Sequence, residues 1–232
     1  LGRLKAIRMD TPKDHRLLDG RAVQRRILDD VRRTVDDFEQ DGKPVGRLVS
    51  ISIGDVPEID VYIRNQVRAA ERCGIPFEKI SWASDISQAG CKAALVEMND
   101  REDVLGVILQ RPVPTHINLR SLQSAIHPLK DVEGMNPASI GNIVYNDIAL
   151  APCTAAAAVE LIRETGLKME GLEVVMIGHS EIVGRPAAMM LMAEGATVTV
   201  CHHMTRSVAM YSRRADVVVV AVGKAGLVGP DM

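Results

Sequence analysis

The chain has 232 residues, 47% hydrophobic and 25% charged, with a formal net charge of −2, values of an ordinary globular protein long enough for two domains. So balanced a charge offers no basic field to nucleic acid, and no apolar run approaches the ~20 residues of a membrane span, so neither nucleic acid nor a membrane is an expected partner. Cys73, Cys91, Cys153 and Cys201 are widely spaced with no C-x-x-C pair, and no secretory pattern opens the chain, so free thiols in the cytoplasm are expected.

The first sixteen residues are charged, contain a proline and lack sustained periodicity; they read as an extension. From residue 18, Ala22, Val23, Ile27, Leu28, Val31, Val35 and Phe38 recur at helical spacing until Asp41-Gly42. The β-branched run "RLVSISIG" predicts a strand closed by Gly54. A helix over 58–73, a strand at "FEKISW", a helix over 87–99, the strand "VLGVILQ" at 104–110 and a short helix at "LRSLQSAIHP" follow. Residues 128–153 are rich in Pro, Gly and Asn with little periodicity, and read as a long loop of the kind that carries function or marks a boundary. A second series then runs helix 154–166, strand 173–178, helix 183–194, strand 197–202, a weak helix at 205–214 and strand 216–223. Continuous apolar strands alternating with helices imply parallel sheets buried on both faces. The expected fold class is α/β with two domains, a three-layer α/β domain over 17–150 and a Rossmann-like domain over 151–232. Three parallel strands bury little, so the second domain is expected to be incomplete in this sequence.

Helix 58–73 presents Tyr62 and Gln66 four residues apart on one face. A phenol beside a neutral amide is unusual next to a cleft, because an amide supplies no titratable group for proton transfer. Strand C-termini in open parallel sheets face the ligand crevice, which places Gln110 to read a substrate by hydrogen bonds. Arg111 is either a local ion-pair partner or an anion contact. In "KDVEGMNP", Lys130, Asp131 and Glu133 form either a plain surface turn or one whose carboxylate accepts paired hydrogen bonds from an amino-pyrimidine ring.

"VVMIGHSEIVGRP" ends a buried strand at Gly178 and opens a helix at Gly184 and Pro186, the geometry of a dinucleotide site. Ser180 stands where the usual fingerprint has its second glycine, so a glycine-closed turn without a ligand is the competing reading. His202 and His203 end the next strand, where they touch a ribose or phosphate or simply face solvent. No third ligand stands beside them in sequence, so no metal is expected.

Taken in order, "GDVPEIDVYIRNQ...AAERCGI", "GVILQRPVP", "PLKDVEGMNP", "APCTAAA", "IGHSEIVGRP" and "ADVVVVAVGKAGLV" resemble the bifunctional methylenetetrahydrofolate dehydrogenase/cyclohydrolase family. The resemblance implies a folate-binding catalytic domain, an NAD(P)-binding domain with a deep cleft between them, and a homodimer. It implies oxidation of 5,10-methylenetetrahydrofolate by NADP or NAD, then hydrolysis of the methenyl cation. It places the tyrosine platform at Tyr62, substrate contacts at Gln110, Arg111, Pro112, Val113, Asp131 and Glu133, and catalysis at Tyr62, Gln66 and Gln110. Cofactor contacts fall on Thr154, Gly178, His179, Ser180, Ile182, Val183, Gly184, Pro186, His202, His203, Val222 and Gly223.

Departures from the family pattern cluster in the same segments. Gln66 stands where the family has a lysine that shuttles protons, and Glu133 replaces an aspartate. Ile59 replaces a small polar residue, and Arg111 an apolar one. Ala155 and Ala157 replace Pro and Gly, and His179 and His203 sit where many relatives use Arg and Ser near the cofactor's 2′-phosphate. The leading expectation is an NAD(P)-dependent methylenetetrahydrofolate dehydrogenase with cyclohydrolase activity lost or weak. The alternatives are a diverged paralogue using methylenetetrahydrofolate for non-redox one-carbon transfer, and a non-catalytic folate-binding protein.

Overall fold

The apolar rows of the sequence become two separate parallel sheets in a computed structural model that describes residues 17–230 and 232. The expected N-terminal extension lies outside the described residues. One compact unit spans 21–141; the other comprises 142 onward together with the described residues up to 20.

The first unit contains most of α1 (Gly20–Gln40), then β1 (Arg47–Ile53), α2 (Pro57–Cys73), β2 (Phe77–Trp82), α3 (Gln88–Asp100), β3 (Val104–Leu109) and α4 (Leu119–Gln123). The strand order is β2-β1-β3, all parallel. β1 is central, and Val49, Ser50, Ile51 and Ile53 are at most 1% exposed. Covering both faces of a central parallel strand explains why its sequence is an apolar run rather than an alternation. β2, at the edge, has no fully buried residue. Local chemistry sets the helix ends. Pro57 opens α2, and Gly74 closes it at φ 72° with its N–H on the Ala70 and Glu71 carbonyls. Ser87 caps α3 by accepting from the Gly90 N–H at 3.0 Å.

Leu95 of α3 packs at 0% exposure into the cluster built on Val49, Ile51, Ile53, Val107 and Leu109. Leu95→Ala is expected to lower the unfolding free energy by about 2–5 kcal/mol, read from the urea midpoint, because the strands around the cavity relax only partly.

The second unit carries α6 (Cys153–Arg163), β4 (Glu173–Ile177), α7 (Gly184–Ala193), β5 (Thr197–Cys201), α8 (Ala209–Ser212) and β6 (Val217–Val220). Its order, β5-β4-β6, repeats the connectivity of the first sheet. In both sheets the chain starts at the centre, adds a strand on one side and then crosses to the other. The strand ends flanking that crossing, β1/β3 and β4/β6, are topological switch points, where open α/β sheets bind ligands.

Two expectations change. The segment read as loop over 128–153 contains a 3₁₀ turn at Pro128–Lys130 and α5 (Pro137–Val144). Asn136 makes this possible, since its side-chain oxygen accepts from the Ala138 N–H at 2.8 Å while its amide donates to the Ile126 carbonyl at 2.9 Å. The helix expected over 205–214 shrinks to α8. The Thr205 N–H turns back to the His202 carbonyl at 2.8 Å, and no side chain caps the four residues that remain. Among the described residues, no helix is long and apolar enough to cross a membrane.

Candidate active site

The β1/β3 switch point holds a chain of uncharged polar groups. The Gln110 N–H continues the ladder onto the Ile51 carbonyl at 2.8 Å, which fixes the residue immediately after β3. Its side chain is 7% exposed. The amide Nε2 donates both hydrogens, one to Ser50 Oγ at 2.9 Å and one to Gln66 Oε1 at 2.7 Å. α2 delivers Gln66 half-buried and leaves Tyr62, one turn earlier, 67% exposed. Sequence reasoning pairs Gln66 with Gln110 but misses Ser50. The available signal is a hydroxyl inside a strand whose neighbours are all buried, since such a group has to be hydrogen-bonded.

The turn after the 3₁₀ segment divides its charges between building and binding. Lys130 Nζ donates to the carbonyls of Met98, Asn99 and Arg101 at 3.2, 2.6 and 2.6 Å, closing the end of α3. Asp131, expected at the substrate, is instead 2% exposed. Its carboxylate accepts from the Asn136 N–H at 2.6 Å and the Ser139 hydroxyl at 2.8 Å, so its work is to hold the turn onto α5. Glu133 is the carboxylate this scaffold presents, accepting from the Leu109 N–H at 2.9 Å beside Gln110. Burial pushes its carboxyl above the ordinary carboxylate range, against the opposing pull of that N–H and of the Arg111 guanidinium. Val113, also expected at the substrate, packs partly against the core, while Pro112 is exposed after a cis Arg111–Pro112 bond.

The raised Glu133 carboxyl has a stability consequence. A group whose folded pKa exceeds its unfolded value contributes stability below the unfolded value and loses it as pH rises through the folded one. Glu133→Gln keeps an acceptor for the Leu109 N–H and removes the charge. The variant is therefore expected to match the wild type near pH ~4 and to exceed it increasingly at higher pH, where the wild-type carboxylate ionises. Urea midpoints across that range check this, and a difference independent of pH would refute it.

At the β4/β6 switch point backbone packs on backbone. Gly178 has φ 111°, and a Cβ there would lie 2.4 Å from the Ala221 carbonyl oxygen. A Cβ on Gly184 would lie 2.0 Å from the Gly178 oxygen. Ser180 has a structural task here: its hydroxyl accepts from the N–H groups of Val183 (3.2 Å) and Gly184 (3.4 Å), holding the turn that leads into α7. Ile182 and Val183 are half-buried within this turn, and Pro186 is buried in the first turn of the helix. Gly223 has open space where a side chain would be, next to Val222 at 36% exposure. Two glycines packed into a strand–turn–helix corner, with open space at Gly223, are the backbone arrangement that a dinucleotide site of this kind requires. Thr154 is exposed in the first turn of α6.

Sequence shows His202 and His203 as an isolated pair, but the fold adds a third ring. His179 follows β4, and β4 pairs with β5 so that Ile177 lies opposite Cys201. One ring nitrogen from each of the three histidines lies within 4.8 Å of the others.

Comparison with known proteins agrees with both halves. Residues 18–133 match the tetrahydrofolate dehydrogenase/cyclohydrolase catalytic domain, and residues 152–232 match the NAD(P)-binding domain of the same family. The bifunctional protein FolD 3 of Roseobacter denitrificans is 72% identical over 95% of this chain and 74% of its own length. The crystal structure of the bifunctional FolD dehydrogenase/cyclohydrolase of Campylobacter jejuni superposes with a TM-score of 0.88 at 32% identity, covering 92% of this chain and 76% of that one. The FolD of Trypanosoma brucei, solved with NADP cofactor and an inhibitor, gives 0.83 at 33% identity, covering 90% and 72%. With a catalytic domain followed by a dinucleotide-binding domain, and a close relative spanning nearly all of its length, the chain belongs to the tetrahydrofolate dehydrogenase/cyclohydrolase family.

Proposed function

We propose that this family member is an NAD(P)-dependent 5,10-methylenetetrahydrofolate dehydrogenase in which the cyclohydrolase step is weak or lost. The observation that carries the proposal is the neutral Ser50–Gln110–Gln66 network at the β1/β3 switch point, in which Gln110 donates to both neighbours. Oxidation of the methylene carbon needs placement, because the folate nitrogen lone pair drives the hydride out and no protein group has to exchange a proton. Bound NAD(P)+ supplies the hydride acceptor. Hydrolysis differs: attacking water must lose a proton, and the departing nitrogen must gain one. A carboxamide does neither near neutral pH.

In this reading residues 17–150 hold the folate and 151–232 the dinucleotide. Tyr62 is a flat platform for the substrate. The free donor side of the Gln66 amide orients the folate, and Glu133 accepts from the amino-pyrimidine ring. The turn from Gly178 to Pro186, with Thr154, His202, His203, Val222 and Gly223, receives the cofactor. By family resemblance we extend the proposal to a cytoplasmic homodimer, which sedimentation and cell fractionation test.

The decisive experiment supplies methylenetetrahydrofolate with NAD+ or NADP+ and follows methenyl absorbance over time. Methenyl product is expected to accumulate with at least one cofactor and then to decay at the rate of buffer alone. Decay that accelerates with enzyme concentration would remove the hydrolysis half of the proposal, and no methenyl formation with either cofactor would remove all of it.

A further inference from the structure

We propose that His179, His202 and His203, in the loops that the proposed function gives to the dinucleotide, form a binding site for a divalent transition metal of the zinc class that competes with the cofactor there. The cluster is a product of topology. The loops after β4 and β5 leave the sheet side by side, and the His179 and His202 rings meet edge to face with centroids 4.7 Å apart. His203 completes the triangle at 6.2 Å from His179 and 5.8 Å from His202. Imidazole nitrogens suit Zn²⁺, Co²⁺, Ni²⁺ and Cu²⁺, and three of them leave one tetrahedral position open. His179 and His202 are half-buried and His203 is exposed, so an ion and a fourth ligand have a path in.

Two adjustments are required, and both are small. Zn–N bonds of about 2.0–2.1 Å place tetrahedral ligand nitrogens roughly 3.3 Å apart. With the nitrogens already within 4.8 Å, the rings draw together by no more than about 1.5 Å, and the exposed His203 side chain is free to supply much of it. The second concerns the His202 proton. His202 Nδ1 accepts from the Met204 N–H at 3.1 Å, which leaves the neutral ring protonated on Nε2. Binding through Nε2 requires that ring to exchange tautomer, at the cost of one neutral hydrogen bond in a solvent-facing loop. Three metal–imidazole bonds outweigh it, and the His202 tautomer becomes a reporter of occupancy.

The test titrates the full chain, without cofactor or affinity tag, with Co²⁺ and reads the visible band of tetrahedral cobalt. One ion per chain is expected. His179→Ala and His203→Ala are each expected to weaken binding at least 10-fold, while His116→Ala leaves it unchanged. A second measurement needs no variant: on adding Zn²⁺, long-range ¹H–¹⁵N spectra of the wild type should shift the ring nitrogens of these three histidines and end the Nε2–H pattern of His202. Absence of the band, equal binding by the His179 and His203 variants, or shifts confined to other histidines would each overturn the proposal.

Discussion

Gln66→Lys is expected to raise methenyl hydrolysis by on the order of 10²–10⁴-fold, the usual worth of a positioned acid/base group. The environment is already suited to an ammonium. Gln110 lies 2.7 Å from the present amide, and turning the Gln110 carboxamide over would point its oxygen at both neighbours. Ser50 would then donate its hydroxyl instead of accepting, so the network inverts without losing a bond. Partial burial lowers an ammonium's pKa toward neutrality, which is what proton exchange requires. Enzyme-dependent methenyl decay measures the gain, and Gln66→Met, similar in length but uncharged, should gain nothing. If the lysine variant gains no hydrolysis while dehydrogenase activity persists, the proposed weakness of the hydrolytic step does not rest on this residue alone.

The second large effect is expected at the other switch point. In Gly184→Ala the new methyl would meet the Gly178 carbonyl carbon at 2.7 Å and His179 Cα at 3.0 Å as well as the Gly178 oxygen. All of these are backbone atoms, so relief requires the whole turn to move. We expect destabilisation of about 1–3 kcal/mol or more in thermal unfolding, and at least a 10-fold loss of dinucleotide affinity by calorimetry. Gly141→Ala is the matched control. Nothing lies within 4 Å of its Cβ position in α5, and alanine there should be neutral or stabilising by about 0.5–1 kcal/mol. Comparable losses in the two variants would mean that the Gly184 contact is not what holds the turn.

Residues with strong periodicity announced their elements. The apolar strands appear where the runs of Val and Ile predict them, because burial on both faces leaves a simple record in composition. The segment around Asn136 left none. α5 depends on side chain–backbone bonds made by Asn136 and Asp131, which leave no periodic pattern in the sequence. The same limit applies to the sites. Gln66 and Gln110 could be paired through the family pattern, but Ser50 reads as one more strand residue until β1 and β3 are laid side by side. His179 becomes a neighbour of His202 only through the β4–β5 register. Asp131 and Glu133, two residues apart with similar chemistry, are separated by their partners: one carboxylate is consumed inside the turn, and the other is set beside Gln110.

The centre-outward order of the first sheet also bears on how the molecule folds. Ile51 of β1 sits opposite Ile80 of β2 on one side and Leu109 of β3 on the other, so the second pairing must close a chain segment about twice as long. Longer closures cost more entropy before any contact rewards them, and parallel pairings depend wholly on such closures. The Ser50–Gln110 contact, spanning 60 residues, belongs to that later event. On this account β1 and β2 dock first and the polar edge that faces the ligand is assembled last, so the amides that join β1 to β3 should gain protection from hydrogen exchange after those that join β1 to β2 during refolding.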